Sequence, residues 1–477
     1  MDRDLKSRFA TIVGERHALD QAADIAPYIE DTRGRWNGTS SLVLRPGSVA
    51  EVSAILALAT QTRTPVIPQG GNTGLVGAGL PWLEGGGREV ILSLGRMNRV
   101  LDVDGDTNTM VVEAGCVLET IQKAAEEADR LFPLSLGSQG SCQIGGNISS
   151  NAGGTAVLAY GNTRDLVMGL EAVLPSGAVW NGLSRLRKDN TGYDLKNLLV
   201  GAEGTLGVVT KAVLKLFPRP RGREVAYVAV QSPNHALKLL NRAKATVGNG
   251  LTGFEFMAAV AMEFTLKHTQ GARRPVETAS PWYVLVEISS GRCAQDARAS
   301  MEAILQEAFE ADLLVDATIA LSAAQQDAFW KLREDMSWAQ KPEGASIKHD
   351  ISVPVGALPA FIEKADKAVL TIVPEARIVN FGHMGDGNLH YNISQPVGWE
   401  REQFFAHEEA IHEAVYDLVI AMEGSISAEH GVGQMKRDKL ATFKDPTALS
   451  MMRSIKDALD PAGIMNPGKV LQFEQMP

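Results

Sequence analysis

The sequence predicts an α+β fold divided into more than one domain, and three observations support this. The chain has 477 residues, more than a single hydrophobic core usually accommodates. Its first half concentrates glycine in clusters between predicted strands, whereas its second half alternates strands with long helical patterns. Pro218 and Pro220, followed by charged residues, separate the two halves. The hydrophobic share of 45% and the charged share of 21% are ordinary for a globular protein.

The predicted elements follow in order along the chain. Residues 1–37 form a charged N-terminal helical arm. Residues 38–220 form the first domain, in which a helix with apolar residues at 52, 55, 56 and 59 leads to a strand ending at Pro68. Strands then flank an Asp-Gly turn at 104–105 and a Pro-Ser-Gly hairpin turn. Residues 221–422 form an α+β domain with antiparallel strands, and residues 423–477 form a C-terminal helical segment.

Charge and cysteine content exclude several classes of function. A net charge of −10 argues against nucleic acid as a partner, although it leaves room for a small anionic substrate. Three cysteines without a CxxC spacing argue against a disulfide framework and favour a reducing compartment. The N-terminus lacks the apolar core of a signal peptide, and no stretch is long and apolar enough to span a membrane. We therefore expect a cytoplasmic protein without a transmembrane segment.

Three glycine-rich elements in the first domain indicate a ligand site. The stretch "PVIPQGGNTGLVGAG" places consecutive glycines after a strand, which suits a nest of backbone N–H groups around a pyrophosphate. Its spacing is not the GxGxxG of a Rossmann turn, which argues against NAD bound in that manner. Alone, it could also be a glycine-rich surface loop. The segments "IGGNISSNAGG" and "GAEGTLGVV" add two further close backbone approaches and favour the ligand site.

The ordered set "PQGGNTG", "GGNISSNAGG", "YGNTRDLV" and "GAEGTLGVVT" resembles the FAD-binding domain of the vanillyl-alcohol oxidase (PCMH-type) flavoproteins. The resemblance implies a two-lobed FAD-binding domain. Residues 68–75 would bind the pyrophosphate, and residues 145–154 would pack against the isoalloxazine ring. The cofactor-binding residues implied are Pro68, Gly70, Gly71, Asn72, Thr73, Gly74, Leu75, Gly137, Ser138, Cys142, Gly145, Gly146, Asn147, Asn151, Gly153, Gly154, Glu203, Gly207, Val208, Val209 and Asn466.

The mode of flavin attachment follows partly from the residues available. Members of this superfamily with covalent flavin carry a linking histidine or cysteine. No histidine occurs between residues 18 and 234, so a histidine link in this domain is excluded. Cys142 leaves a cysteine link open, and we expect non-covalent FAD.

The second candidate site combines histidines with a distant glutamate. "NFGHMGDGNLHYNIS" places His383 and His390 around a glycine-rich turn, and "SAEHGVG" later supplies Glu429 and His430. His383, His390 and Glu429 would form a two-histidine, one-carboxylate set for a divalent metal. Spacing alone does not decide between this metal site and unrelated core residues.

A nearby pair of histidines invites a different interpretation. "HEEAIHEAVYDL" carries His407 and His412 among glutamates, but their i, i+5 spacing differs from the i, i+4 of a zincin helix. We expect this to be a solvated helix face.

The segments "GHMGDGNLHYN", "AEHGVG" and "NPGKVL" resemble the C-terminal signature of the FAD-linked D-2-hydroxyacid dehydrogenases. The resemblance implies that His383, His390 and Glu429 bind zinc or manganese and that the C-terminal segment returns to the FAD site. It also implies that Asn392 and His430 contact substrate and that His430 is the catalytic base. The expected reaction oxidises a D-2-hydroxy acid with hydride transfer to the flavin. The electron acceptor would be an electron-transfer flavoprotein or a quinone, and the protein would be a homodimer.

The substrate is suggested by the segment "FWKLREDMSWAQKPEGASIKHDISVP". Arg333, Ser337 and Lys348 could belong to an ordinary surface helix and the strand after it. The segment is, however, similar to the part of D-2-hydroxyglutarate dehydrogenases in which an arginine, a hydroxyl residue and a lysine hold the distal carboxylate. That family usually has threonine where this chain has Ser337. The resemblance implies D-2-hydroxyglutarate or a similar dicarboxylate such as D-malate; the alternatives are D-lactate and glycolate.

Overall fold

The computed structural model describes residues 1–31, 34, 36–83 and 86–472. Short 3₁₀ turns occur at Glu15–His17, Gly248–Gly250, Lys341–Glu343 and Val355–Ala357. The α-helices are α1 (Arg3–Val13), α2 (Ala22–Ile29), α3 (Val49–Thr62), α4 (Leu118–Glu127), α5 (Ile144–Ser149), α6 (Val157–Tyr160), α7 (Thr163–Leu166), α8 (Lys196–Leu199), α9 (Pro233–Val247), α10 (Ala259–His268), α11 (Ala294–Glu310), α12 (Ala323–Ala339), α13 (Leu358–Ile372), α14 (Arg401–Phe405), α15 (Glu408–Ala421), α16 (Arg437–Phe443) and α17 (Pro446–Leu459).

The strands are β1 (Ala18–Leu19), β2 (Val43–Leu44), β3 (Val66–Gln69), β4 (Val90–Ser93), β5 (Val100–Asp104), β6 (Thr109–Glu113), β7 (Arg130–Leu131), β8 (Val167–Val173), β9 (Val179–Gly182), β10 (Val208–Lys215), β11 (Phe217–Pro218), β12 (Gly222–Val230), β13 (Leu251–Ala258), β14 (Trp282–Ser290), β15 (Asp316–Ile319), β16 (Ser346–Ser352), β17 (Arg377–His383) and β18 (Asn388–Ser394).

The chain divides into two compact units. Unit 1 comprises Met1–Gly154, Gly161–Pro218 and Glu429–Pro477. Unit 2 comprises Thr155–Tyr160 and Arg219–Ala428. The candidate base His430 therefore lies in unit 1, whereas the helices and strands between residues 219 and 428 lie in unit 2.

Unit 1 contains two main sheets. The first has the order β1-β2-β4-β3, with β2, β4 and β3 parallel. Helix α3 connects β2 to β3; it starts at Ser48, whose side chain accepts a hydrogen bond from the Glu51 backbone N–H. The residues predicted as the apolar face of this helix are buried: Val52, Ile55, Leu56 and Ala59. The second sheet has the antiparallel order β5-β6-β10-β8-β9 and includes both predicted hairpins.

Unit 2 is built on a seven-stranded sheet of order β15-β12-β14-β13-β17-β18-β16. Each neighbouring pair is antiparallel, which confirms the prediction for this part of the chain. Helices α10 and α12 cover one face with a core whose buried members include Tyr227, Met257 and Phe381 from the strands and Phe329 and Trp330 from α12. Because strand residues alternate between faces, the pairing of the strands shows which polar residues lie on the same face as this core.

The opposite face of the unit 2 sheet contains a histidine pair. His349 on β16 is 1% exposed, and its Nε2 lies 2.8 Å from Nδ1 of His412 on α15. The ring of His412 also stacks on Tyr416. The prediction that His407 and His412 lie on a solvated face is wrong for His412, because helix α15 packs that side of its surface onto the sheet.

Asp366 on α13 is a buried carboxyl on this face of the sheet, and its protonation makes the stability of the protein depend on pH. The Tyr391 hydroxyl donates a hydrogen bond to Asp366 Oδ1 at 2.9 Å, and burial raises the pKa of Asp366 to about 6. The folded protein therefore holds the proton up to that pH, whereas the unfolded chain releases it near pH 3.8. Stability is lost as the pH rises through this interval, by up to about 3 kcal/mol at 1.36 kcal/mol per pKa unit.

We expect Asp366→Asn to remove this penalty, because the amide oxygen still accepts from Tyr391 and carries no charge. Its stabilisation relative to wild type should be small near pH 4 and largest above pH 6, as measured by calorimetric unfolding across that range. The exposed Asp327 offers a matched control, since Asp327→Asn removes a carboxylate that lies largely in solvent and should not reproduce this stabilisation. A stabilisation by Asp366→Asn that does not vary with pH would contradict the assignment.

Candidate functional site

A groove in unit 1, which we call the glycine groove, brings together the three glycine-rich elements. It is lined by parts of residues 68–80, 142–150 and 203–209 together with His430, and its cavity volume is about 150 Å³. The predicted cofactor residues that line it are Pro68, Gly70, Gly71, Asn72, Thr73, Gly74, Cys142, Gly145, Gly146, Asn147, Glu203, Gly207, Val208 and Val209. Elements separated by more than 300 residues in the sequence thus surround one groove.

Seven predicted cofactor residues are placed outside the groove lining: Leu75, Gly137, Ser138, Asn151, Gly153, Gly154 and Asn466. Two of them have structural roles that explain their positions. The Asn151 side chain accepts from the backbone N–H of Arg164. The Asn466 side chain donates to the backbone carbonyls of Ala78 and Glu203 at 3.0 and 2.6 Å, and so joins two segments that line the groove.

The groove has features that fit a flavin. Gln143 Oε1 and Asn147 Oδ1 are buried acceptors with no hydrogen-bond partner within the described ranges, and both residues line the groove. Such orphaned acceptors are rare in folded proteins and suit the N–H edge of a ring system. A side chain at Gly71 would clash with the carbonyl of Ser141, so glycine permits the close packing of two lining segments. Cys142 is 2% exposed, and burial raises the pKa of its thiol.

The loop that carries His430 is held by Glu203. The Glu203 carboxylate accepts hydrogen bonds from the backbone N–H groups of Val432 and Gly433, both at 2.7 Å. Burial raises the pKa of Glu203, against these two donors and Lys436, which lower it. Gly433 has φ of +52°, and a side chain there would clash with the Val76 carbonyl. The carboxylate of Glu203 thus binds protein backbone and fixes the loop at the groove.

Unit 2 presents a polar patch on the α12 side of its sheet. Register pairs Glu255 with His383, Asp350 with His390, and Lys348 with Asn392. Paired residues of antiparallel strands point to the same face. Phe381 on β17 pairs with His390 on β18. The pair between β13 and β17 and the pairs between β16 and β18 therefore lie on the same face of the sheet. The rings of His383 and His390 have centroids 5.9 Å apart.

Glu255 is the centre of this patch and carries two hydrogen bonds. Its Oε1 lies 2.7 Å from His383 Nδ1, and its Oε2 accepts from Arg333 Nε at 2.7 Å. Burial favours the neutral form of Glu255, but His383 and Arg333 favour the carboxylate more strongly, and its pKa lies below the ordinary value. The Arg333 guanidinium also lies 4.9 Å from the centre of the Phe381 ring.

The other predicted substrate residues differ in exposure. Asn392 is 3% exposed and Lys348 is half-buried on the neighbouring strand. Ser337 is exposed, one helical turn after the buried Arg333. Unit 2 therefore gathers the predicted residues Arg333, Lys348, His383, His390 and Asn392, and unit 1 contains Glu429 and His430.

Sequence reasoning missed two residues of these sites. Glu255 is a lone carboxylate in the apolar strand "FEFM", and a charge at such a position could have signalled a buried partner. Gln143 precedes the second glycine-rich element and carries one of the two orphaned acceptors. Its neighbours gave no periodic pattern that would distinguish it from a polar surface residue.

The family comparisons match both halves of the chain. The family described as "FAD linked oxidases, C-terminal domain" matches residues 219–470. The family described as "FAD binding domain" matches residues 40–182.

Similar proteins cover nearly the whole chain. The mitochondrial D-2-hydroxyglutarate dehydrogenase of Arabidopsis thaliana is 38% identical over 98% of this chain and 81% of its own length. The corresponding protein of Danio rerio is 41% identical over 91% of this chain and 79% of its own length. A crystal structure of p-cresol methylhydroxylase with bound substrate has a TM-score of 0.76 at 15% identity, and the match covers 98% of this chain and 96% of that chain. The likeness to this crystal structure confirms the predicted PCMH-type fold of the chain.

Among the helices of the described ranges, none combines the length and apolar character needed to cross a membrane.

Proposed function

The chain belongs to the FAD-dependent D-2-hydroxyacid dehydrogenases, a branch of the FAD-linked oxidases, and on that premise we propose that it oxidises D-2-hydroxyglutarate to 2-oxoglutarate. The observation that carries the choice of substrate is the pair of cations at the polar patch of unit 2. Arg333 and Lys348 flank the residues proposed for the hydroxy-acid end, which suits a substrate with a second carboxylate.

In this proposal, Arg333 binds that distal carboxylate through the end of its guanidinium group. Its Nε is engaged by Glu255, and the two Nη groups are donors that this bond does not use. Lys348 lies on β16 and supplies an ammonium group, and Asn392 opposite it supplies an amide donor. These three side chains would hold the substrate through its carboxylates, with Ser337 as the hydroxyl residue of the set.

The metal site proposed for the hydroxy-acid end consists of His383, His390 and Glu429. His383 fits this role because a carboxylate can only accept, so Nδ1 donates to Glu255 and Nε2 carries the lone pair. Glu429 belongs to unit 1, and its inclusion rests on the sequence resemblance. Zinc or manganese bound there would lower the pKa of the substrate hydroxyl and orient the carbon that carries it.

The proton and the hydride have separate destinations in this proposal. His430 takes the hydroxyl proton as general base, and Glu203 holds its loop at the glycine groove while it does so. Gln143 and Asn147 would hold the flavin edge by their unpaired acceptors. FAD held in this groove without a covalent link would supply the acceptor for the hydride that leaves C2.

We expect Lys348→Ala to raise the KM for D-2-hydroxyglutarate about 30-fold, since a hydrogen bond to a charged group contributes about 2 kcal/mol. Activity on D-lactate, which has no second carboxylate, should change little. Steady-state kinetics on both substrates measure this, and Lys331→Ala, an exposed lysine of α12, is the matched control. Equal losses on the two substrates would contradict the proposal that Lys348 binds the distal carboxylate.

A panel of D-2-hydroxy acids tests the substrate against its alternatives. Anaerobic bleaching of the flavin should be fastest with D-2-hydroxyglutarate. A preference for D-malate would shorten the proposed substrate by one carbon, and a preference for D-lactate or glycolate would refute the dicarboxylate.

The electron acceptor and the assembly state are further parts of the proposal. We propose an electron-transfer flavoprotein or a quinone as acceptor, a homodimer, and a cytoplasmic location. Flavin reduced under anaerobic conditions should be reoxidised quickly by a quinone or an electron-transfer flavoprotein and slowly by air; rapid reoxidation by air would identify an oxidase instead.

A further inference from the structure

Glu255 links the two ends of the proposed substrate site through one buried side chain. It is 0% exposed on β13, between the buried Phe254 and Phe256. Placing a carboxylate in such surroundings is costly unless strong partners compensate it. Its two oxygens meet His383 on the neighbouring strand and Arg333 on α12, and these residues are proposed here for different ends of the substrate.

Each bond of Glu255 fixes one property of its partner. The bond to His383 requires a proton on Nδ1, which leaves the Nε2 lone pair as the ligand atom of the ring. The bond to Arg333 Nε, with the Phe381 ring 4.9 Å from the guanidinium carbon, fixes the plane in which the two Nη groups point. The tautomer of the histidine and the direction of the arginine therefore depend on a single carboxylate.

We propose that Glu255 is a positioning residue that sets the metal-binding tautomer of His383 and the orientation of Arg333 together. This inference rests on the proposed function, and it adds a coupling between recognition of the distal carboxylate and retention of the metal. Glu255 itself contacts neither the metal nor the substrate in this scheme.

Substitution by glutamine separates the two bonds, because an amide has one oxygen and one NH₂ group. The charged Arg333 takes the oxygen, since an NH₂ group facing its Nε–H would place two donors together. The NH₂ group then faces His383 Nδ1, which must accept, and the ring proton moves to Nε2. Glu255→Gln should therefore weaken metal binding and leave the arginine oriented.

The test measures metal affinity in the FAD-loaded protein. We expect metal-stripped Glu255→Gln to bind Zn²⁺ or Mn²⁺ about 10- to 100-fold more weakly than wild type in a calorimetric titration. FAD content should stay at the wild-type level, and the KM ratio between D-2-hydroxyglutarate and D-lactate, measured at saturating metal, should change less than about threefold. Glu255→Leu, which removes both bonds, should lose both metal affinity and this KM ratio.

A matched control distinguishes positioning from general loss of packing. Glu287 lies on the adjacent strand β14 and accepts from Trp330 Nε1 of the same helix α12 at 2.8 Å. Glu287→Gln should keep wild-type metal affinity. Unchanged metal affinity in Glu255→Gln, or an equal loss in Glu287→Gln, would overturn the role of Glu255. A wild-type protein that binds neither metal would instead refute the proposed metal centre, and this inference with it.

Discussion

Replacing His430 with alanine should slow flavin reduction by D-2-hydroxyglutarate about a thousand-fold, within the range that a positioned general base contributes. His430 lines the glycine groove, and Glu203 holds the loop that follows it through the N–H groups of Val432 and Gly433. The side chain can be removed without disturbing those backbone bonds, so FAD content should stay at the wild-type level. Anaerobic stopped-flow measurement of the flavin absorbance gives the rate constant directly.

The pH dependence of the same rate distinguishes a base from a binding residue. Wild-type flavin reduction should slow as the pH falls, because a protonated imidazole cannot accept the hydroxyl proton. His430→Ala should lose this limb of the profile together with the rate. His412→Ala provides the control, since His412 pairs with His349 on the far face of the unit 2 sheet. A His430→Ala enzyme that keeps both the rate and the acidic limb would exclude His430 as the base.

The parts of the fold set by local pattern could be predicted from the sequence. The apolar spacing at Val52, Ile55, Leu56 and Ala59 predicted the buried face of α3, because helix periodicity depends only on near neighbours. The hairpins and the antiparallel strands of unit 2 followed from turn residues and strand patterns in the same way. The family and the PCMH-type fold followed from ordered motifs, each of which was short and local.

The parts set by tertiary packing could not be predicted in this way. His412 had a polar helical neighbourhood, and the burial of its ring depends on His349, which lies 63 residues away in the sequence. Glu255 and Arg333 are 78 residues apart, and no spacing rule connects a lone strand carboxylate to a helix arginine. Asn151 and Asn466 occur in the expected motifs, yet their side chains bind backbone and stabilise the segments that line the groove. The motifs thus predicted which segments line the groove, whereas the structure shows that these two side chains bind backbone.

Removing the metal should abolish turnover, with an expected loss of at least about a thousand-fold, while FAD stays bound. Without the cation, His430 would have to take the proton of an alcohol whose pKa is far above that of an imidazole, so the proton transfer becomes strongly unfavourable. The measurement is anaerobic flavin bleaching by D-2-hydroxyglutarate after EDTA treatment and desalting. Adding Zn²⁺ or Mn²⁺ should restore the rate, because the glycine groove and its flavin are left intact.

The same EDTA and Zn²⁺ measurement on His390→Ala tests whether His390 is a metal ligand. His390 is half-buried on β18, and its ring lies beside His383 on the α12 side of the sheet. Removing the ring should reproduce the EDTA-treated state, and Zn²⁺ should no longer restore activity at concentrations that reactivate the wild type. His412→Ala, which removes a histidine from the opposite face, should respond to EDTA and to Zn²⁺ as the wild type does. Full activity of the chelated wild type, verified as metal-free by mass spectrometry, would rule out the metal and would leave His383 and His390 to act on the substrate as hydrogen-bond donors.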